Sequence, residues 1–514
     1  MTKYIPVLFL LITNSVLAQA PEDAIRYSFF PQNGTARNLA IGGVMGSLGG
    51  DINATYTNPA GLGFYKTGEF VLTPGFFLNS NKATFRDNLS QDKKNSFGFG
   101  ASGLILGYSN ANDPKRSSAI SLAFTQTASF NNRVRYSGLN NYSSFSEQFA
   151  EEFAKSGLSI GEVLSTNSAL PYTSAPALYT YLIDTVTVNG VVQVKGAPEY
   201  ILDAGQALRQ EMIHTTKGGI YEFALGYAQN KNDKWYWGIS LGVPLVSYTS
   251  NMVFKESDTS SNTSNHFNRF EYTDNFKTKG TGFNAKLGII YRPLDYIRLG
   301  LAIHTPTYMI LTDTRTTYLT TEVENPVNSY SINSETFTNN GPGEAKYVQT
   351  TPFKAMISAS YVFRETENVK KQRAFISADI EYVQHRGSRF HSNNEEPTEG
   401  EKRYYKELNN VVKADYKGNF NFRLGGELKF NVIMARLGFA YYSNPYKDAA
   451  FKASRMLLSG GLGYRNKGMF IDLTYVHAIS KDVHFPYRLE DRANTYAMLK
   501  QQRGNIAATL GFKF

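Results

Sequence analysis

The sequence predicts an all-β fold: a transmembrane antiparallel β-barrel of about 14 strands with an N-terminal plug inside its lumen. Three observations lead there. Segments throughout the chain alternate between a charge-free apolar face and a polar face. Beyond the first residues, no stretch approaches the ~18 consecutive apolar residues that a membrane helix requires. The connectors alternate between tight turns and long links, as they do where strands cross a membrane back and forth.

Taken in order, the chain opens on a secretory signal. Lys3 supplies positive charge, Ile5 to Ile12 an apolar run, and Val16-Leu17-Ala18 a small-residue cleavage site, so 1–18 reads as a signal peptide. Residues 19–66 precede the first strand. Between Asn33 and Tyr65 this segment is too rich in glycine for a regular lipid-facing strand and too apolar for a solvated tail. Gly42-Gly43, Gly46 and Gly49-Gly50 permit close backbone approach and positive φ. Asn58-Pro59 sets a turn, because Pro fixes φ and Asn can bond its own backbone two residues on. A compact small-residue segment ahead of a barrel fits inside the lumen.

The barrel is expected over 67–514. Strands are placed at 67–80, 95–109, 117–136, 218–229, 234–252, 270–292, 295–314, 346–364, 372–386, 418–430, 432–443, 454–465, 469–481 and 497–514. Phe420, Phe422, Leu424, Leu428 and Phe430 share one face, with Asn421, Arg423, Glu427 and Lys429 opposite. A slip of one residue would drive Arg423 and Lys429 into hydrocarbon at about 2–4 kcal/mol each near the midplane, so register is tightly specified. Segments around Leu225, Leu301, Ile380, Leu437 and Leu473 repeat the pattern. Their charges Glu222, Arg298, Asp379, Glu381, Arg436 and Asp472 all fall on the non-apolar face. These charges suit either polar flow or a salt-bridged interior closed around a plug, and the second reading is preferred.

Tight links such as Asn230 to Asp233 and Arg465 to Gly468 alternate with long ones, of which 137–217, 315–345 and 387–417 are the longest. With short turns in the periplasm and an even strand count, both termini are expected on the periplasmic side of an outer membrane. Within 137–217, Phe145, Phe149, Phe153 and Leu158 recur at helical spacing, which predicts a short helix over 143–156 packed on the barrel rim. A second helix is expected from Ala204 to Met212.

In the closing strand Ile506, Ala508, Leu510, Phe512 and Phe514 share one side, with Thr509 and Lys513 on the other. A terminal strand ending on Phe resembles the C-terminal signal of bacterial outer-membrane barrels. Phe512 and Phe514 would then be read by the barrel assembly machinery. Composition agrees with this fold: 34 Tyr and 35 Phe stand against 2 Trp, there are 43 Gly, and no Cys is present to form a disulfide or ligate a metal. The net charge of +10 has no dense basic tract behind it and reads as solvated turns facing anionic lipid or lipopolysaccharide, with no nucleic-acid partner.

The run Gly42 to Leu62, with Gly49-Gly50-Asp51 and then Asn58-Pro59-Ala60-Gly61, resembles the hatch of FadL-type outer-membrane transporters for long-chain fatty acids and other hydrophobic compounds. Asp472 to His477 is similar to that family's second-to-last strand. The resemblance implies passive uptake of a hydrophobic small-molecule ligand, gated by hatch movement and needing no cofactor. It also implies lateral exit at a kinked third strand, where Phe130-Asn131-Asn132 interrupts the alternation here. Two other readings stand beside it: a barrel adaptor in type IX protein secretion, and a porin for small polar solutes. No catalytic or metal constellation is found. The seven His are dispersed, and His385, His391, His477 and His484 read as surface or rim residues.

Overall fold

In a computed structural model, which describes residues 23–324, 328–363, 373–448 and 453–514, the alternating segments pair into a closed antiparallel barrel of 14 staves. The expected signal peptide lies outside the described residues. The first staves are β1 (Glu69–Leu72 and Pro74–Phe85), β2 (Asn88–Lys93, Ser96–Phe99 and Ser102–Asn110), β3 (Asp113–Ser129 and Asn132–Asn140), β4 (Leu208–Lys231) and β5 (Trp235–Asp258). Next come β6 (Arg269–Leu294), β7 (Ile297–His304 and Tyr308–Val323), β8 (Gly343–Thr350 and Lys354–Phe363) and β9 (Ala374–Gln384 and Arg389–Ser392). The last are β10 (Gly418–Phe430), β11 (Ile433–Tyr442), β12 (Arg455–Asn466), β13 (Met469–His484) and β14 (Ala497–Lys513). β14 pairs with β13 on one side and β1 on the other, Phe512 opposite Phe70 and Ile506 opposite Phe76, which closes the ring. Closure removes the free first and last edges that an open sheet would expose to lipid.

The facing is the one the alternation dictates. Leu424 is 48% exposed on the outer wall while its neighbour Arg423 is 4% exposed in the lumen. Phe223, Leu301, Ile380, Leu437 and Leu473 are likewise exposed outward, and Glu222, Arg298, Asp379, Arg436 and Asp472 are buried inward. Ile506, Leu510 and Phe512 complete the outer belt, with Thr509 buried on the lumen side. At the short-turn rim, left-handed residues such as Asn232 and Asp233 (φ 60° and 53°) or Lys467 and Gly468 (φ 45° and 84°) match the twist of a tight hairpin.

On the other rim the staves run further than the sequence pattern indicates. β3 reaches Asn140 and β4 begins at Leu208, so Ala204–Met212 is not a helix: 204–207 turn and the rest is strand. The outer face there carries cross-strand ion pairs, Arg135 with Glu211 (2.9 Å), Lys255 with Glu271 (2.6 Å) and Arg269 with Glu322 (2.6 Å), in place of apolar residues. The staves have left hydrocarbon at this height, and the apolar alternation that marks a membrane strand ends with it. The long links shrink accordingly; the last contains a helix, Glu399–Asp415, started by a Thr398/Glu401 capping box.

The helix expected near 143–156 forms over Ser146–Ser156, but it fills the outer mouth and does not lie on the rim. Phe145 is 1% exposed, stacked on Phe254 with ring centres 4.4 Å apart and flanked by Phe149, Tyr272 and Tyr487. The result is an aromatic cork of rings from the link and from the barrel wall. Glu147, in its first turn, accepts from Ser144 N (2.7 Å) and pairs with Arg492 (3.1 Å). Burial nevertheless pushes its carboxyl up to about 7.

Even strand number constrains only the ends of the barrel. Phe514 lies at the short-turn rim, bonded to Gly68, whereas Asp23 lies inside the lumen toward the long-link side, bonded through its carbonyl to Gln349. The segment upstream of β1 thus runs up through the lumen as far as Asp23, and the start of the chain lies outside the described residues.

Leu424→Arg is expected to impair assembly by about 2–4 kcal/mol, read as lost heat-modifiable migration, while Leu424→Phe assembles normally. For Glu147, the folded form holds its proton to higher pH than the unfolded chain, so cork stability falls as pH rises from about 5 through 7. Once the intrinsic rise of amide exchange with pH is divided out, protection at Phe145 to Phe153 should be weaker at pH 8 than at pH 5.5, and Glu147→Gln should reduce that difference.

Candidate functional site

The lumen holds a plug, a chamber above it, and a place where the wall loses its ladder. The plug is built by local capping. Thr35 caps a helix over Ala36–Ala40, Asp51 caps a 3-10 turn over Ile52–Thr55, and Asn58 caps another over Pro59–Phe64. Asn58 Oδ1 accepts from Ala60 N (3.1 Å), the local bond its position before proline suggests. Its Nδ2 donates to Gly46 O (2.6 Å) and reaches the wall carbonyls of Ile289 and Leu301 (both 3.3 Å).

The wall makes room for this contact with glycine. A Cβ at Gly288 would lie 1.8 Å from Asn58 Oδ1, at Gly300 2.1 Å from Gly46 O, and at Gly238 2.5 Å from Pro59. Across the lumen, Gly425 and Gly438 receive Ile41 and Gly42 in the same way. Gly49 and Gly61 serve inside the plug: a Cβ at Gly49 would strike Phe64 and one at Gly61 would crowd Ala54. Gly50 has φ of 69° in open space, so its glycine is a backbone requirement. Asn58, Pro59, Ala60 and Gly61 thus sit together at the foot of the plug against β4–β7, while Gly49, Gly50 and Asp51 join its two halves.

Charge fixes the other side. Arg37 of the plug donates to Gly50 O (3.0 Å) and faces Glu427 (3.6 Å), which pairs with Arg436 (2.6 Å), which pairs with Asp472 (2.5 Å). Asp51 accepts from Thr35 Oγ1 (2.8 Å) and Asn53 N (2.9 Å). Asp379 accepts from Met45 N and Gly46 N (3.1 and 3.2 Å). The wall charges are engaged with the plug and with one another.

The ladder between β2 and β3 runs only from Asn110/Asp113 to Ser102/Phe124. Above Phe124, among the described residues, the two staves share no paired register. β3 has an extra residue at Thr127, where its register with β4 shifts, and breaks at Phe130–Asn131 with Asn132 opening its second segment. Side chains bridge the gap. Asn33, at the head of the plug, donates from Nδ2 to both Phe99 O on β2 (3.0 Å) and Gln126 O on β3 (2.8 Å). Higher up, Asn79 of β1 reaches Asn131 O (2.6 Å) and Asp92 of β2 pairs with Arg133 (3.2 Å).

The chamber above the plug encloses about 150 Å³. Tyr27, Phe29 and Phe30 form one wall, and Tyr56 and Thr57 the floor. Ion pairs Lys286–Glu222 (2.5 Å) and Arg423–Glu381 (2.9 Å) cross the remaining walls. Three neighbouring staves break at one height beside it: β7 at Thr305–Thr307, β8 at Thr351–Phe353 and β9 at His385–Gly387. Pro306 and Pro352, each lacking a ladder donor, sit in the first two breaks. They are the signal a closer reading of the sequence could have used, because the expected strands 295–314 and 346–364 run straight through them.

Of the four histidines read as surface or rim residues, His391 is exposed, whereas His385 and His484 are interior. His385 lines the chamber, and His484 Nε2 meets His214 Nδ1 at 3.2 Å across the lumen, with Tyr136 OH 2.9 Å from its other nitrogen. His385 sits at the break in β9 and His484 is the last residue of β13, and a place near a strand end does not by itself reveal which way a side chain turns. Asn33, standing before Gly34, carries no local mark of a bridging role.

No protein-family model matches the chain, and no curated protein matches it in sequence. Solved structures do match in fold. The P. putida toluene transporter TodX superposes with a TM-score of 0.50 at 12% identity, over 94% of this chain and 99% of that one. A Pseudomonas aeruginosa FadL homologue gives 0.51 at 13% identity, over 93% and 98%. The chain therefore has the fold of FadL-type barrels, the family its hatch-like segment resembles.

Gly300→Leu should unseat the plug while leaving the ladder intact, since only lumen space is lost. Protease access to residues 34–65 should rise, with heat-modifiable migration unchanged.

Proposed function

We propose that the chain is an outer-membrane channel for passive uptake of hydrophobic small molecules, with the plug acting as a hatch and the exit lying sideways between β2 and β3. The observation that carries this reading is the unpaired stretch above Phe124, held by Asn33 of the plug. Carbonyls at a sheet edge in hydrocarbon are costly to leave unbonded, so something must satisfy them when the wall is shut. Asn33 does so from an element that is not part of the ladder.

The sequence of events follows from that geometry. A solute passes the aromatic cork, whose rings exchange contact with one another for contact with it. It reaches the chamber beside Tyr27 to Phe30, the strap that continues into Asn33. Displacing the strap withdraws the amide from Phe99 O and Gln126 O. Tyr27 also abuts Phe130, with ring centres 6.0 Å apart, so the same movement loosens the break in β3. An apolar solute then leaves past Phe97, Phe99 and Phe124, whose rings pack in a row beside the gap. The toluene and FadL-type names of the structurally similar barrels support a hydrophobic cargo. No chemical step is needed, and long-chain fatty acids remain one cargo within the class.

Removing the two Asn33 bonds costs about 1 kcal/mol each, which favours the parted state by about tenfold or more. Asn33→Ala should accordingly speed uptake of a fluorescent hydrophobic solute into proteoliposomes, with Asn33→Gln intermediate. In planar bilayers the native protein should show no large steady conductance; a wide open pore would overturn the reading in favour of a porin.

A further inference from the structure

We propose that the outer wall over β4, β5 and β6 carries a binding site for a phosphorylated glycolipid of the outer leaflet, held by Lys217, Lys277 and Lys279 just above the apolar belt. The site lies on the lipid side of the barrel and is independent of what passes through the lumen.

On β5 the outward residues Trp235, Trp237, Ile239, Leu241, Val243 and Leu245 are all apolar and exposed. From Trp235 to Leu245 the stave climbs about 33 Å, which at a tilt of about 45° is about 24 Å across the membrane. A barrel's apolar band is about 25 Å tall, so hydrocarbon ends near Leu245. The same row holds Tyr221 on β4, Thr281 on β6 and Ile310 on β7. The next two rows toward the long-link rim read Gly219, Ser247, Lys279 and Thr312, then Lys217, Thr249, Lys277 and Thr314. They stand at the level of lipid headgroups, and the long-link rim is the outer one by the turn rule.

Lys217, Lys277 and Lys279 are exposed, and among the described residues none of their ammoniums makes an ion pair or a hydrogen bond. Lys94 adds positive charge beside Lys217, donating to Thr216 O (2.7 Å) across the break in β3. On β4 to β7 these two rows hold no carboxylate. The outward acids of the same staves, Glu211, Glu271 and Glu322, lie higher and are taken by Arg135, Lys255 and Arg269. On β8, Lys346 is matched by Glu344 (3.2 Å), which bounds the patch. An unmatched basic patch at the edge of hydrocarbon draws the phosphate of a lipid whose chains lie below it. Lys217 and Lys277 flank Thr249 with their backbones about 10 Å apart, and Lys279 follows Lys277 by about 7 Å. Ammoniums so spread meet two phosphates, as a lipopolysaccharide anchor carries, and a lipid with one phosphate leaves part of the patch unmatched. The hydroxyls of Ser247 and Thr249 add donors between them. Below, Phe223, Leu245, Phe283 and Ile310 are exposed and offer the acyl chains an apolar surface.

The experiment uses the full-length protein in mild detergent and measures equilibrium binding of lipid A, the two-phosphate anchor of lipopolysaccharide. Its dephosphorylated form, phosphatidylglycerol and inorganic phosphate are measured beside it. Lipid A should bind at least about tenfold more tightly than its dephosphorylated form or phosphatidylglycerol. Lys277→Gln with Lys279→Gln should weaken lipid A by about tenfold, and adding Lys217→Gln should bring the loss to about hundredfold. Lys467→Gln, at the short-turn rim, should stay within about twofold of the native protein, which separates a site from an effect of net charge. If the triple variant fails to assemble, the double variant and the native preference among the lipids decide. Equal binding of lipid A and its dephosphorylated form, indifference to the lysine substitutions, or an equal loss with Lys467→Gln overturns the site. Phosphatidylglycerol binding as tightly as lipid A overturns the two-phosphate occupant. Displacement of lipid A by equimolar inorganic phosphate overturns the lipid in favour of a soluble anion.

Discussion

In hydrocarbon a backbone N–H or C=O has no water to turn to, and this one constraint organises the molecule. It forces the strands to close on themselves, so that β14 must find β1 after the whole chain has been laid down. Each stave then has an inner and an outer face, and the period-two pattern follows. The constraint is also what makes the one stretch where β2 and β3 part informative. The barrel gives up ladder bonds there and replaces them with side-chain donors, among them Asn33 from an element that is not part of the wall. A bond supplied by a separate element can be withdrawn by moving that element, whereas a ladder bond cannot.

The interior is organised around contact between backbone and backbone. The plug approaches the wall closely enough that Gly288, Gly300, Gly425 and Gly438 have no room for a side chain. Such contact gives precise seating at small apolar cost. The charged chain from Arg37 through Glu427 and Arg436 to Asp472 adds orientation, because each member is held by the next. Above the plug the packing changes character. The chamber is walled by aromatic rings on one side and by ion pairs on the other, and a cluster of aromatic rings packs in the outer mouth.

Much of the fold was legible in the sequence because lipid punishes error. A charge facing hydrocarbon is expensive, so Arg423, Glu427, Arg436 and Asp472 announce the lumen face, and the strand registers around them follow. Where lipid ends the signal ends too. The extensions of β3 to β6 above the membrane carry Arg135, Glu211, Lys255 and Glu271 outward, and a reading tuned to apolar alternation stops short of them. That is why 204–212 looked helical and why the mouth-filling helix was placed on the rim. Local capping is equally legible: Asn58 before Pro59 bonds Ala60 N, as its dipeptide suggests.

The sequence by itself determined the class of fold, the facing of the staves, the short-turn rim and the small-residue plug segment, because each depends on neighbours in the chain or on which solvent a face meets. Only the tertiary structure decided what meets inside the barrel. Asn33 joins β2 to β3, His385 and Lys354 line one chamber, and His214 meets His484 across the lumen. The lumen is a space in which residues hundreds of positions apart become neighbours. No local rule records which of them arrive at the same height, since that is fixed by the stagger of the closed sheet and the path of the plug within it.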